Sequence, residues 1–156
     1  MIINQKDFYK LIDSILSPLG FIKKKETWYL HTDDCICFFA AAKSPYGGYY
    51  GHVMGCFLKE IYEGEDEFPK YYKYNLIYSI SDLAQKDLVK KAFDLENNEF
   101  VKGERETIIE DLIVNYALPF LNSIKTKSGI KIAINEYTGL KYGMDLKIKN
   151  ALSIED

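Results

Sequence analysis

Apolar residues recur at helical spacing along the first twenty positions. Phe8, Leu11, Ile12, Ile15, Leu16 and Leu19 share one side of a 3.6-residue repeat, and Lys6, Lys10 and Asp13 take the other. Asn4 is a capping residue type, and Asp7 follows in the first turn, where the helix dipole favours a carboxylate. Pro18 predicts a tightened 3₁₀ end, and Gly20 stands where a left-handed residue closes a helix. The period then shortens. Residues 21–25 and 27–31 read as strands, with Lys23, Lys24 and Lys25 suiting a solvated edge that resists strand addition by other chains. Thr32, Asp33 and Asp34 supply turn chemistry before an apolar strand over 35–43.

Residues 35–43 and 49–62 predict a hairpin closed by Ser44-Pro45-Tyr46-Gly47-Gly48, in which Pro45 presets a turn and the glycines permit positive φ. A turn centred on Tyr46 pairs Ala40 with His52, Phe38 with Met54 and Cys37 with Gly55. That register puts Ile36, Phe38, Ala40, Ala42, His52, Met54, Cys56 and Leu58 on one face. Cys35, Cys37, Phe39, Ala41, Gly51, Val53, Gly55 and Phe57 fall on the other. Both faces are apolar, unlike the alternation of a half-exposed antiparallel strand, so either helices cover both or one curls into a groove for a ligand or partner. Gly51, Gly55 and the alanines leave room for a close approach on either account. Residues 60–69 form an acidic loop and 75–81 a fifth strand. Residues 82–103 are ambiguous, with a short strand expected at 92–95. Residues 104–124 predict a second strong helix with a stripe of Ile109, Leu112, Ile113, Tyr116, Phe120 and Ile124, kinked at Pro119. Burying those six side chains at about 1.5–3 kcal/mol each makes this helix a main stabiliser. One or two short helices are expected after residue 125.

Composition narrows the classes. A chain of 156 residues fits one domain, 1–156, large enough to bury a core without staples. Nineteen of its twenty basic residues are Lys, Arg105 is the single Arg, and the net charge is -3. Nucleic acid is therefore disfavoured as a partner, because base-edge and bidentate phosphate recognition favour Arg. Cys35, Cys37 and Cys56 lie in apolar strand context and read as reduced, buried thiols of a cytoplasmic protein. No secretory signal is expected from MIINQKDFYK, and the longest apolar runs, 35–42 and 112–121, are too short to span a bilayer. Nothing in the pattern specifies an oligomer.

Candidate chemistry is sparse. GGYYGHVMG carries glycines but neither GK[ST] nor GxGxxG, so a hairpin turn explains them. No metal is expected, because the register above sends Cys56 and His52 to the face opposite Cys35 and Cys37. Ser44 lacks a nucleophile elbow, and nothing in the spacing selects a dyad with His52 or His31. The cluster Glu60, Glu63, Glu65, Asp66 and Glu67 lacks calcium-loop spacing and reads as a solvated loop. The aromatic set stands out instead. Tyr46, Tyr49 and Tyr50 gather at one hairpin tip, and tyrosine offers large contact area at low entropy cost.

At LSPLGFIKKKETWYL and KSPYGGYYGHVMG the chain resembles the bacterial domain-of-unknown-function family 4304. The residues that carry the resemblance are Leu19-Gly20-Phe21, Lys23 to Lys25, Thr27-Trp28-Tyr29, Lys43-Ser44, Gly47 to Tyr50 and the late Ala117-Leu118-Pro119-Phe120. Glu26 departs from the pattern, at a turn position where a small residue is more usual. The resemblance implies a small stand-alone α+β protein and brings no activity, cofactor or catalytic residues. A link to toxin-neutralising immunity proteins is an analogy from its compact acidic character.

The resulting expectation is an α+β domain. A mainly antiparallel sheet of about five strands carries an N-terminal helix and C-terminal helices packed on it. The leading functional expectation is a non-enzymatic binding module with a protein partner, no cofactor and no membrane, using Lys43, Ser44, Tyr46, Tyr49, Tyr50 and His52. The rival is a small-ligand binder or small enzyme with a groove on the sheet near His52, Tyr50 and Lys43.

Overall fold

The computed structural model describes residues 4–155. Helix α1, Gln5–Leu16, begins where expected, with the Asn4 side chain accepting from the Asp7 N–H at 2.8 Å. A 3₁₀ turn, Ser17–Leu19, holds Pro18, and Gly20 follows with φ 95. Five strands then form an antiparallel meander in chain order: β1 Ile22–Lys24, β2 Thr27–His31, β3 Cys35–Ala40, β4 Val53–Leu58 and β5 Leu76–Ser79. The sequence-based fold class holds. The β3 and β4 strands are shorter than expected, because one end of the hairpin opens into the loop around residues 41–52 and β4 passes into a 3₁₀ turn at Lys59–Ile61.

The hairpin register differs by one residue. Cys37 pairs with Cys56, Phe38 with Gly55 and Phe39 with Met54, and Lys43 bridges Tyr50 beyond the strands. The turn is therefore centred between Tyr46 and Gly47. A one-residue slip exchanges the faces of one strand relative to its partner. Cys35, Cys37, Phe39, Met54, Cys56 and Leu58 thus share one face, and Ile36, Phe38, Ala40 and Phe57 share the other. Gly55 meets a specific need here: a Cβ on it would lie 1.9 Å from the Leu76 carbonyl oxygen of the next strand.

Helices cover only the first face. Phe8, Ile12 and Leu16 of α1 pack there with Trp28, Phe39 and Met54. The Trp28 indole also donates to Asp13 Oδ1 at 3.0 Å. No α-helix among the described residues packs on the second face, where small clefts of about 180 and 210 Å³ open beside Tyr29 and Phe57. That face is covered by the chain from 59 to 75, whose Tyr62, Phe68, Tyr71 and Tyr74 pack on Tyr29, Phe38 and Phe57. The acidic loop is consequently more than a solvated loop: its carboxylates stay exposed while the aromatics between them dock.

The expected strand at 92–95 is replaced by α2, Lys86–Ala92, and a single bridge between Tyr49 and Asp94. The long helix is present in three segments: α3 Glu104–Leu112, a π-helical turn Ile113–Ala117, and α4 Leu118–Ser123 with Pro119 in its first turn. The π turn lies before Pro119, where the kink is expected, and accounts for a change in the stripe. Each π turn holds more residues than an α turn, so the core position after Ile113 falls on Ala117, and Tyr116 is turned to solvent. Helices α5 Lys127–Glu136 and α6 Leu146–Ala151 complete the fold. Asn75 anchors the start of α6, donating from Nδ2 to Asp145 Oδ2 at 2.9 Å while its Oδ1 accepts from the Leu58 N–H.

Candidate functional site

The β3–β4 connection is held on several sides. The Ser44 N–H donates to the Tyr49 carbonyl at 2.8 Å, and Lys43 Nζ donates to the Gly47 carbonyl at 3.0 Å. Ser44 Oγ accepts from the Tyr46 N–H at 3.1 Å, a short side-chain turn of the kind serine favours. The segment after α2 braces the tip from outside: the Tyr50 N–H donates to the Phe93 carbonyl and the Leu95 N–H to the Gly48 carbonyl. A Cβ on Gly48 would clash with Glu96, so glycine permits this contact. The Tyr9 hydroxyl on α1 donates to the Ala41 carbonyl at the root of the loop.

The six candidate residues separate on this scaffold. Tyr46 is 96% exposed, and Lys43 lies beside it at the surface. Ser44 is half-buried and is spent on the turn. Tyr50 does not belong to the exposed tip. It is 2% exposed, with its ring 4.8 Å from that of Phe8, and burial raises its hydroxyl pKa. Tyr49 is half-buried and its pKa is raised, first by burial and then by Asp94.

His52 is 5% exposed and lies 5.0 Å from the Phe93 ring. Its Nδ1 contacts the Tyr49 hydroxyl at 3.4 Å and its Nε2 contacts Ser81 Oγ at 3.2 Å. Ser81 Oγ in turn meets Ser79 Oγ at 2.8 Å, and Ser79 donates to Asp82. Burial pulls the imidazole pKa below its ordinary value, so the ring is neutral at pH 7 and its two nitrogens play opposite donor and acceptor roles. The chain of hydroxyls ties β4 to the turn after β5. Larger clefts lie elsewhere, one of about 440 Å³ walled by Leu19, Phe21, Val114 and Leu118, another of about 460 Å³ by Ile134, Leu140 and Tyr142. His52 lines neither.

The corrected register gathers the cysteines. Cys37 and Cys56 are directly opposite, Cys35 lies two positions away on the same face, and all three are buried free thiols. Hydrogen bonds from Cys37 and Cys56 hold the Cys35 thiol below its ordinary pKa, while that interaction and burial push the other two up. Among the described residues no group of three His, Cys, Asp or Glu side chains is arranged to hold a metal ion. Ser81, Phe93 and Glu96 were not legible as neighbours of the tip, since they come from a stretch with no clear periodicity. The spacing of Gly47 and Gly48 marks only that something approaches closely.

The family model described as "Domain of unknown function (DUF4304)" matches residues 12–123, which include the whole sheet, the tip and α3. The chain belongs to this family. Membership agrees with the resemblance carried by Leu19-Gly20-Phe21, Thr27-Trp28-Tyr29 and Lys43-Ser44, and it assigns no activity. No curated protein and no solved structure matches the chain.

Proposed function

We propose that this chain is a non-enzymatic binding module that recognises a protein partner through the β3–β4 tip, with Tyr46 as its anchor. The observation that carries the reading is a large aromatic side chain, 96% exposed, on a loop whose backbone is bonded on both flanks. Tyrosine offers large contact area at low entropy cost, and fixing its loop beforehand reduces the ordering cost on association. Lys43 beside it adds a charged rim. The rival reading needs His52 open to a ligand, and its enclosure by Tyr49, Ser81 and Phe93 supports recognition over catalysis. The proposal places the module in the cytoplasm, supported by three unpaired thiols. No helix among the described residues is long and apolar enough to cross a membrane.

The test is capture from the native host with wild-type and Tyr46→Ala baits, followed by affinity measurement with each purified protein recovered. A protein that binds wild type and loses more than about 1 kcal/mol with Tyr46→Ala supports the proposal. A partner that binds both alike overturns it.

A further inference from the structure

The single arginine of the chain is buried. Arg105 lies in the first turn of α3 at 0% exposure, under the connection 93–103, with its guanidinium carbon 5.0 Å from the centre of the Phe100 ring. Its Nη2 donates to the Asn97 carbonyl. Nε and Nη1 have no hydrogen-bond acceptor among the described residues. Burial lowers the guanidinium pKa and Asp94 and Glu106 oppose that shift, yet an arginine stays charged at any ordinary pH. A buried charge with two idle donors is costly, and native structures supply such donors with a partner.

The surroundings suit an anion. No side chain caps the N-terminus of α3, where Gly103 has φ 83, and apart from its chain neighbours no described residue comes within 4 Å of the place a Cβ on Gly103 would occupy. Helix N-termini favour negative charge. Most of the acids nearby are engaged or turned outward, and Glu106 is half-buried beside the arginine. Asp94 Oδ1 accepts from the Glu96 N–H, Glu99 pairs with Lys91 at 3.0 Å, and Glu104 is exposed. Glu96 lies against Gly48 of the tip. Asp94, Glu104 and Glu106 together weigh against a doubly charged ligand, and Lys102 on the rim is exposed.

We propose that the start of α3 is a binding site for a small monocarboxylate, held by Arg105. With one Nη2 proton on Asn97, the other forms a two-donor edge with its neighbouring nitrogen, and a planar carboxylate matches that edge. The aromatic face of Phe100 backs the guanidinium plane and keeps it oriented. The proposed contacts include none of the tip residues, so the acetate test reads this site and not the protein-binding reading.

Because Arg105 is the only arginine, its Nε–H gives one unambiguous cross-peak in the ¹⁵N-labelled full chain. Sodium acetate is titrated at constant ionic strength, with sodium chloride and inorganic phosphate in parallel. The expected result is a saturable shift of that peak with acetate, no saturable shift with chloride, and phosphate at least about tenfold weaker. Wild type is expected to gain melting temperature with acetate, and Arg105→Lys, which keeps the charge and removes the fork, is expected to show no such gain. Should that variant not fold, the wild-type cross-peak still decides. A peak unmoved by acetate, or phosphate binding more tightly than acetate, overturns the proposal. So does a response that appears only in Asp94→Asn, which would show that Asp94 fills the site itself.

Discussion

Phe38 and Phe39 are neighbours in one strand, both fully buried, on opposite faces of one sheet. Phe39 faces a core built from α1, α3 and α4. Phe38 faces a cover made of irregular chain, 59–75, with two short 3₁₀ turns. The helical cover satisfies its own backbone. The loop cover must find partners on the sheet, and it does so at a few points: the Tyr29 hydroxyl donates to the Pro69 carbonyl at 2.7 Å, and His31 Nε2 contacts the Glu67 carbonyl at 2.6 Å. Aromatic area replaces regular structure there, with Phe68, Tyr71 and Tyr62 against Tyr29, Phe38 and Phe57. Burial in a strand therefore says how much must be covered, and says nothing of what covers it. The loop-covered face is the softer of the two, since fewer elements must move together to expose it.

The largest expected effect tests this directly. Phe39→Ala leaves a cavity among rigid helices and is expected to cost about 3–5 kcal/mol in urea unfolding. Phe38→Ala is expected to cost less, about 3 kcal/mol or below, because a loop can settle into the space. Equal costs would break the comparison. The next effect belongs to the helical side. Gly20 at φ 95 closes the turn that sends α1 back over the sheet, so Gly20→Val is expected to lose about 1–2 kcal/mol or more. An unchanged melting temperature would remove Gly20 from that role.

The helical face was legible because its period was strong: α1, its cap, its 3₁₀ end and Gly20 all follow from local residue types. Five strands were legible from alternation and turn residues. The register was not, since Pro45-Tyr46-Gly47-Gly48 admits two centres, and with both faces apolar either choice buries the same residues. The cost of that slip fell on chemistry, because it separated Cys56 from Cys35 and Cys37 in expectation while the structure joins them. Tyr116 was misplaced because a π turn breaks the period without a residue type that announces it. At the tip, Tyr46 stands between Pro45 and Gly47 with little bulk around it, whereas the fate of Tyr49, Tyr50 and His52 depended on α1 and on residues 81 and 93, far away in sequence.

His52 sharpens the comparison through pH. It sits just before β4, at the junction of hairpin and β5, and burial depresses its folded pKa below the unfolded value of about 6.5. The neutral ring is the one the folded state accommodates. Between the two pKa values the unfolded chain binds more protons, so stability is complete above the unfolded pKa and falls as pH drops toward the folded one. Unfolding measured from pH 8 to pH 5 is expected to show this loss, and His52→Gln is expected to remove that part of it. A stability that rises on acidification over this range would contradict the assignment. A smaller effect of opposite sign is expected at the β1–β2 turn, where Lys25 holds φ 57. Lys25→Gly is expected to gain about 0.5–1 kcal/mol, since glycine occupies that region without a Cβ penalty. A loss in the melt would mean the lysine side chain contributes more than its backbone strain costs.

The smallest expected effect on stability is at the tip, and its smallness is the informative part. Tyr46 and Tyr50 are four residues apart in one braced loop. Tyr50 is packed on Phe8 and Tyr9 of the helical face, whereas Tyr46 has almost all of its surface in water. The Tyr46 backbone N–H bond to Ser44 Oγ survives truncation of the side chain, and so do the Lys43–Gly47 and Ser44–Tyr49 bonds. Tyr46→Ala is therefore expected to change unfolding free energy by no more than about 0.5 kcal/mol, the range for ordinary surface substitutions. Tyr50→Ala is expected to cost about 3 kcal/mol or more, as a core aromatic does. A large loss with Tyr46→Ala would mean that the ring folds back on the protein in solution, and the tip would then have no free anchor to offer a partner. A near-zero change leaves Tyr46 as a side chain that folding does not use.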